Sequence, residues 1–458
     1  MIAATSYPRA ATQAAFELGG IGTGNVSIGT RGELRDWELA NRPGMGNSLP
    51  YSFFAIRVAR QGAAPIAKVL EGRFAPPYPG GGGFMPLGVA GLPRFEDSQL
   101  SARYPFVTVD LFDGQVGLPV QLEAFTPFIP HDAKRSGLPM AVIRFHVDNP
   151  TGQDIEVSVA GSLGSPIGVV GADQFGTPIY VGQPTNSAIE SEHLTGVGFG
   201  SDLPPTHREY GTAVLASTAH EGVTYTPQWR AGYWPDGAEI FWVDFKDDGR
   251  LEAEHPRSNM AESRLAAHDL GATGLRPGVR VGSVAATRTI KAGGRATFEF
   301  ILAWHFPNRL RGWEGHVIRD DPYSGQTVLN YYAVHFADAL AVAEYATAGL
   351  GELERESRAF SEALHSSNLP PAVIESLIAG IATLRSTTCF RIADGTFLGW
   401  EGSLERAGSC EGTCTHVWNY AQTVAFLFPE LEVSARSVEF LVETDSEGSM
   451  AFRTNQVF

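Results

Sequence analysis

The sequence predicts an α+β chain: an N-terminal antiparallel β-sandwich followed by an all-helical region. Three observations predict it. Short segments of alternating character recur through the first two thirds of the chain, separated by turn residues. Gly and Pro are abundant, at 52 and 29 residues, which favours many turns. After Pro322 the apolar period changes from two to that of a helix.

The strands can be taken in order. Pro105 to Leu111 alternates, and Asp113-Gly114 offers a turn. Val120–Phe128 and Met140–Val147 follow, then Ile155–Val159, Ile240–Phe245, Val284–Ile290 and Ala296–Trp304. Asp247-Asp248-Gly249 and Gly293-Gly294 mark hairpin turns. Ala75–Gly83 and Ser201–Thr206 read as surface loops. Arg31, Glu33, Arg35 and Asp36 alternate in charge and form a structural ion-pair set.

In the helical part, Val328, Tyr332, Phe336, Leu340 and Ala343 share one face. Glu352–Arg358 interleaves acids and bases on a further helix. Val373, Leu377, Ile381 and Leu384 form a stripe after a double proline that starts a helix. A short hairpin turns at Asp394-Gly395, with Phe390, Ile392 and Phe397 in its arms. A last stripe runs through Val417, Tyr420, Val424, Leu427 and Leu431 and bends or ends near Pro429. The expected domains are a sandwich over residues 1–322, a helical linker over 323–370 and the start of a helical domain over 371–458. The apolar stripes of that last part need partners. The expectation is a fragment of a longer polypeptide.

Composition narrows the partners. With 43% hydrophobic and 18% charged residues over 458 positions, the chain suits globular structure. A net charge of −16 repels phosphate backbones, so nucleic acid is not an expected partner. No run approaches a transmembrane span, and no signal peptide is evident. Three cysteines, Cys389, Cys410 and Cys414, are too few for a disulfide scaffold. The expected compartment is cytoplasmic. Cys410, Cys414 and His416 invite a metal reading, but their spacing fits no usual zinc pattern, so no metal is expected. Gly19–Gly24 is superficially like a dinucleotide loop; without the flanking strand and helix it reads as a turn of the sandwich. No cofactor is expected.

The chemistry concentrates in Phe397-Leu398-Gly399-Trp400-Glu401-Gly402 and in Cys414-Thr415-His416-Val417-Trp418-Asn419-Tyr420. A carboxylate beside an indole and between glycines suits an attacking group in a sugar pocket. The ring of Trp400 can face a pyranose, and the glycines allow close backbone approach. His416 and Asn419 are three residues apart on one helix face and can hydrogen-bond sugar hydroxyls. The plain alternatives are a solvated hairpin glutamate and a histidine that caps or packs its helix. Trp304, His305 and Trp418 read as interface residues.

Three stretches carry a resemblance to glycoside hydrolase family 116, which contains the non-lysosomal glucosylceramidases. They are Gly19–Gly24 running on to Arg31–Trp37; Glu123–Pro130 with Ser136–Pro139 and Ala303–Asn308; and Gly399–Gly402 with Cys414–Tyr420. The resemblance implies a β-sandwich packed on a C-terminal (α/α)6 barrel, here incomplete. It implies a retaining β-glycosidase acting on β-glucosides or related β-linked sugars, with the nucleophile at Glu401. The family's acid/base aspartate has no counterpart before Phe458, and its aspartate after the nucleophile aligns near His416. This chain alone is therefore expected to be inactive. The rivals are a non-catalytic carbohydrate-binding or scaffold protein, and a phosphorylase of similar plan.

Overall fold

The computed structural model describes residues 5–74, 76, 89–172, 178–229, 237–252, 280–312, 325–410, 412–413, 422–454 and 457–458. Two sheets pack face to face. The larger has nine strands in the order Thr5–Pro8, Asp97–Arg103, Phe106–Phe112, Val120–Phe125, Met140–Asp148, Arg295–His305, Thr212–Ser217, Thr195–Ser201 and Pro184–Glu190. All its pairings are antiparallel. The smaller has six, in the order Val223–Thr226, Val281–Ile290, Ile155–Gly164, Phe53–Ala59, Ile66–Gly72 and Arg94–Phe95.

Alternation along the strands sorts side chains between two cores. In Met140–Asp148, Ile143, Phe145 and Val147 enter the space between the sheets. There Phe54 of the smaller sheet meets Phe145 and Phe300, with ring centres 5.0 and 5.3 Å away. Met140 and Val142 point the other way, under two helices: α2 (Ala339–Ala348) and α3 (Leu350–His365), which follow α1 (Gly237–Asp248) in the chain. Helix α2 lies close because Ala339, Ala343 and Ala346 present small side chains to the sheet. Asp338 caps its first turn by accepting from the Ala341 amide at 2.8 Å. Arg144, on the same outer face, forks onto Glu354 of α3 at 2.9 and 2.7 Å and also binds Glu299 and Glu123. The sandwich is thus tied to α3 by a half-buried ionic cluster.

Two expectations are corrected. Ile240–Phe245 is not a strand but lies within α1. Phe241 and Phe245, one helical turn apart, pack on Phe53, Ala55, Ala160 and Ala285 at the outer face of the smaller sheet. A short apolar run does not by itself separate strand from helix. The Asp-Asp-Gly after it ends the helix: the Gly249 amide donates to the Phe245 carbonyl at 2.9 Å and Gly249 has φ +79°. Gly293-Gly294 is not a hairpin turn either. It carries the chain from Val281–Ile290 in the smaller sheet to Arg295–His305 in the larger. The Asn149 side chain, in the neighbouring crossing, holds it by donating to the carbonyls of Ile290 and Lys291.

The stripe from Val328 to Ala343 is not one helix. Thr327–Leu329 is a strand, Tyr331–Val334 one turn of 3-10 helix, and α2 starts only at Ala339. Tyr332 and Phe336 still join the core under α2. Pro322 lies outside the described residues. Three more helices follow: α4 (Pro371–Thr383), α5 (Gln422–Leu427) and α6 (Pro429–Leu441), the last two divided at Pro429. Among the described residues no helix is long and apolar enough to cross a membrane.

Candidate active site

A three-stranded sheet, Ala15–Leu18, Asn25–Gly29 and Leu34–Glu38, stands between the sandwich and the segment that carries Glu401. The expected charge set is here: Arg31 pairs with Glu33 and Glu71, and Arg35 with Asp36. The glycine loop Gly19–Gly24 leaves this sheet and packs on the later segment. A Cβ on Gly22 would come within 2.9 Å of the Arg391 backbone nitrogen, and one on Gly20 within 2.5 Å of Gly137. Trp304 donates its indole N–H to the Thr23 carbonyl at 2.8 Å, and a ring nitrogen of His305 meets the Phe336 carbonyl at 2.9 Å. Both residues sit where the sandwich meets the later elements.

Glu401 is reached through a hairpin of Cys389–Arg391 and Phe397–Gly399. Gly395, with φ +94°, makes its turn. Phe390, Ile392, Leu398 and Trp400 form a small core with Phe458. The chain then enters a second, shorter hairpin, Gly402–Ser403 against Gly408–Ser409. The Glu401 amide donates to the Ser409 carbonyl at 3.0 Å, and the Trp400 amide to the Thr388 carbonyl at 2.8 Å. The backbone on both sides of the carboxylate is therefore fixed.

The Glu401 side chain is 21% exposed, neither sealed in the interior nor free in solvent. Arg453 Nη2 lies 3.8 Å from its Oε1. Arg453 reaches it because the Thr454 amide donates to the Gly412 carbonyl, bringing that late segment alongside. Trp400 is buried at 4% exposure, and its indole lies flat over Gly408, where a Cβ would come within 2.0 to 2.4 Å of the ring. The ring that could face a sugar is thus packed inward. A narrow cleft nearby is lined by Ile21, Thr23, Tyr331, Arg391 and Leu431, and Glu401 is not among its lining residues. His416 and Asn419 lie outside the described residues, as do Cys414 and Trp418. Cys389 is buried on the first hairpin strand, and burial pushes its thiol up out of the reactive range. Among the described residues no group of three or more His, Cys, Asp or Glu could hold a metal ion.

Two features escaped the sequence reading. Arg453 lies far from Glu401 in sequence, and no local pattern marks it. Arg385 is fully buried, and Glu17 is half-buried with its Oε2 shielded from solvent; the sequence analysis singled out neither.

The architecture defines a large two-sheet sandwich with helices on its outer faces and a carboxylate-bearing hairpin beyond it. Residues 15–353 match the family model described as beta-glucosidase 2, glycosyl-hydrolase family 116 N-terminal, and the chain belongs to that family. The match runs through α2 into α3. Among solved structures the chain is similar to a protein assigned as a kojibiose phosphorylase from human microbiome, at 9% identity and TM-score 0.36, covering 77% of this chain and 35% of that one. It is also similar to a bacterial glucoamylase complexed with acarbose, at 10% identity and TM-score 0.38, covering 99% and 55%. The chain therefore spans between about a third and about half of the length of these two structures.

Proposed function

We propose that this chain is part of a retaining β-glycosidase acting on β-glucosides or related β-linked sugars, with Glu401 as the nucleophile. The observation that carries the reading is the setting of Glu401. Its backbone is pinned between two hairpins, its carboxylate is partly exposed, and a guanidinium lies 3.8 Å away. Membership of a glycoside-hydrolase family supports it.

In this mechanism the ionised Glu401 attacks the anomeric carbon while an acid about 5 Å away protonates the leaving oxygen. A sugar ester of Glu401 forms, and water then cleaves it. Arg453 favours the ionised carboxylate before attack. We assign no acid among the described residues. His416 and Asn419 are proposed to hydrogen-bond sugar hydroxyls. Trp400, packed over Gly408, supports the backbone of Glu401 and leaves sugar stacking to another ring.

We place residues 371–458 at the start of an (α/α)6 barrel that follows the sandwich (1–322) and the linker (323–370). Phe426 and Leu441 are each 79% exposed and Phe440 is 60% exposed, apolar surface that other helices of such a barrel would cover. A cytoplasmic location belongs to the same proposal.

A second reading is a non-catalytic carbohydrate-binding or scaffold protein. The inward packing of Trp400 favours it. The two readings separate on 2,4-dinitrophenyl β-glucoside, whose leaving group departs without a proton and so bypasses the acid. The nucleophile reading expects one equivalent of dinitrophenolate released per chain, and none from Glu401→Gln. Release unaffected by Glu401→Gln, or binding without release, rejects it.

A further inference from the structure

We propose that Arg309, seated by Asn41 and Asn330, is a positioning residue: it holds the hairpin Cys389–Gly399 to the end of the sandwich and through it sets the place of Glu401. The inference deepens the glycosidase reading and rests on it for its chemical part.

The seat is built from two side-chain amides. Asn330 is fully buried. Its Nδ2 donates to the Phe306 carbonyl at 2.8 Å and to Asn41 Oδ1 at 2.6 Å. Asn41, in the left-handed region at φ +63°, turns its own Nδ2 onto the Asn308 carbonyl at 2.8 Å. Asparagine tolerates that backbone conformation better than most residues and offers both donors and an acceptor. The two amide oxygens face Arg309. Its Nε donates to Asn330 Oδ1 and its Nη2 to Asn41 Oδ1, each at 3.2 Å. A buried guanidinium is thereby fixed in plane by two segments that are far apart in the chain.

The hairpin lies on that guanidinium. The carbon of the Arg309 guanidinium sits 4.3 Å from the centre of the Phe390 ring. Arg391, the next residue of the strand, makes the reverse contact, with its guanidinium carbon 3.7 Å from the centre of the Tyr331 ring. Successive side chains of a strand point to opposite faces, so the two contacts grip the strand from both sides. Between them the Asn330 backbone pairs with Ile392 as an antiparallel bridge. Arg391 Nε also donates to the Gly395 carbonyl at 3.0 Å, which ties the grip to the turn. The second strand ends at Gly399, two residues before Glu401.

A cation held over an aromatic face and away from water attracts it more strongly than an exposed one. Removing the Arg309 fork also takes a donor from each of two amide oxygens. Both changes loosen the hairpin. An attacking carboxylate must be held to within about 0.5 Å, and a small misplacement from a distant change slows the chemistry. Hydroxyl contacts made by other residues can still bind the sugar. Loss of the grip should therefore act on ester formation more than on binding.

Single-turnover release from 2,4-dinitrophenyl β-glucoside by the 458-residue chain, followed against reagent concentration, separates the maximal rate from the half-saturating concentration. Arg309→Met should lower the maximal rate on the order of 100-fold with half-saturation little changed. Arg309→Lys keeps a cation near Phe390 without the fork and should recover part of the rate. Amide hydrogen exchange over residues 389–399 should lose protection on the order of 10-fold in Arg309→Met, and less in Arg309→Lys. Circular dichroism checks that each variant is folded. Should Arg309→Met unfold, Phe390→Leu, which removes the ring and keeps an apolar side chain, decides by the same two readouts, with a smaller slowing expected. With a reactive wild type, a variant of unchanged maximal rate, or one in which only half-saturation rises, overturns the positioning role and leaves the glycosidase reading standing. A wild type that releases no dinitrophenolate rejects the glycosidase reading instead. Protection of 389–399 then decides the proposal: its loss in the variants supports the grip, and unchanged protection overturns it.

Discussion

Arg453 Nη2 stands 3.8 Å from Glu401 Oε1, joining a side chain near the end of the described chain to the carboxylate after the first hairpin. Both groups are partly exposed, so the pair contributes little to stability, about 0–1 kcal/mol. In the proposed mechanism its value lies in favouring the charged form of the Glu401 carboxyl. Arg453→Gln is expected to slow sugar-ester formation at Glu401 several-fold, with Arg453→Lys intermediate. Single-turnover release of dinitrophenolate measures this. An unchanged rate would remove Arg453 from the site.

Glu17 gives a stability prediction whose sign follows from burial. Its folded-state value, about 7, lies above the ordinary 4.5. Its contribution is therefore fully present below about pH 4.5 and is lost as pH rises through 7. Glu17→Gln should gain on the wild type between pH 4 and pH 8 by about 3 kcal/mol, an order-of-magnitude figure. Urea unfolding of both proteins at the two pH values checks it. An equal difference at both would show that folding does not shift the Glu17 pKa.

Gly408 is the floor beneath Trp400. Gly408→Ala puts a methyl into the indole plane and should force the ring to shift, costing about 1–3 kcal/mol. Because Glu401 follows Trp400 and bonds to Ser409, the same change should sharply reduce sugar-ester formation. Thermal unfolding and single-turnover release test the two effects. A variant as stable and reactive as the wild type would show that the indole does not support the site.

Arg144 holds α3 to the larger sheet. Burial works against its charge, but Glu354 and Glu299 outweigh this and hold its pKa above the usual arginine value. Arg144→Met leaves Glu123, Glu299 and Glu354 facing one another, with Arg358 still paired to Glu123 and Glu354. The expected loss is about 3 kcal/mol. Adding Glu354→Gln should recover part of it, and a double-mutant cycle by denaturant unfolding reads the coupling.

Much of the sandwich was legible because one face of each strand is apolar: Met140–Val147 and Ala296–Trp304 declare themselves by alternation. The hairpin turn at Asp394-Gly395 was legible for the same local reason. What failed was local pattern with two solutions. Phe241 and Phe245 fit a helix as well as a strand, and Asp-Gly ends a helix as readily as it turns a hairpin. Gly293-Gly294 turns the chain, but its crossing between sheets, held by Asn149 far away in sequence, leaves no local mark. At the site, Glu401 stood out through its neighbours Trp400 and the glycines. Arg453, Glu17 and Arg385 did not, since burial and pairing across hundreds of residues leave no mark on a short window. Trp400 shows the converse: its place in the sequence suggested an exposed platform, and tertiary packing over Gly408 turned it inward.

The most direct measurement is to find which residue forms the sugar ester. The chain is incubated with 2,4-dinitrophenyl 2-deoxy-2-fluoro-β-glucoside, which stabilises the ester, and digested for mass spectrometry. The account predicts one label, on the peptide spanning residues 397–409 and at Glu401, absent from Glu401→Gln. A label on any other residue, or no label with the protein folded and the reagent in excess, would contradict it.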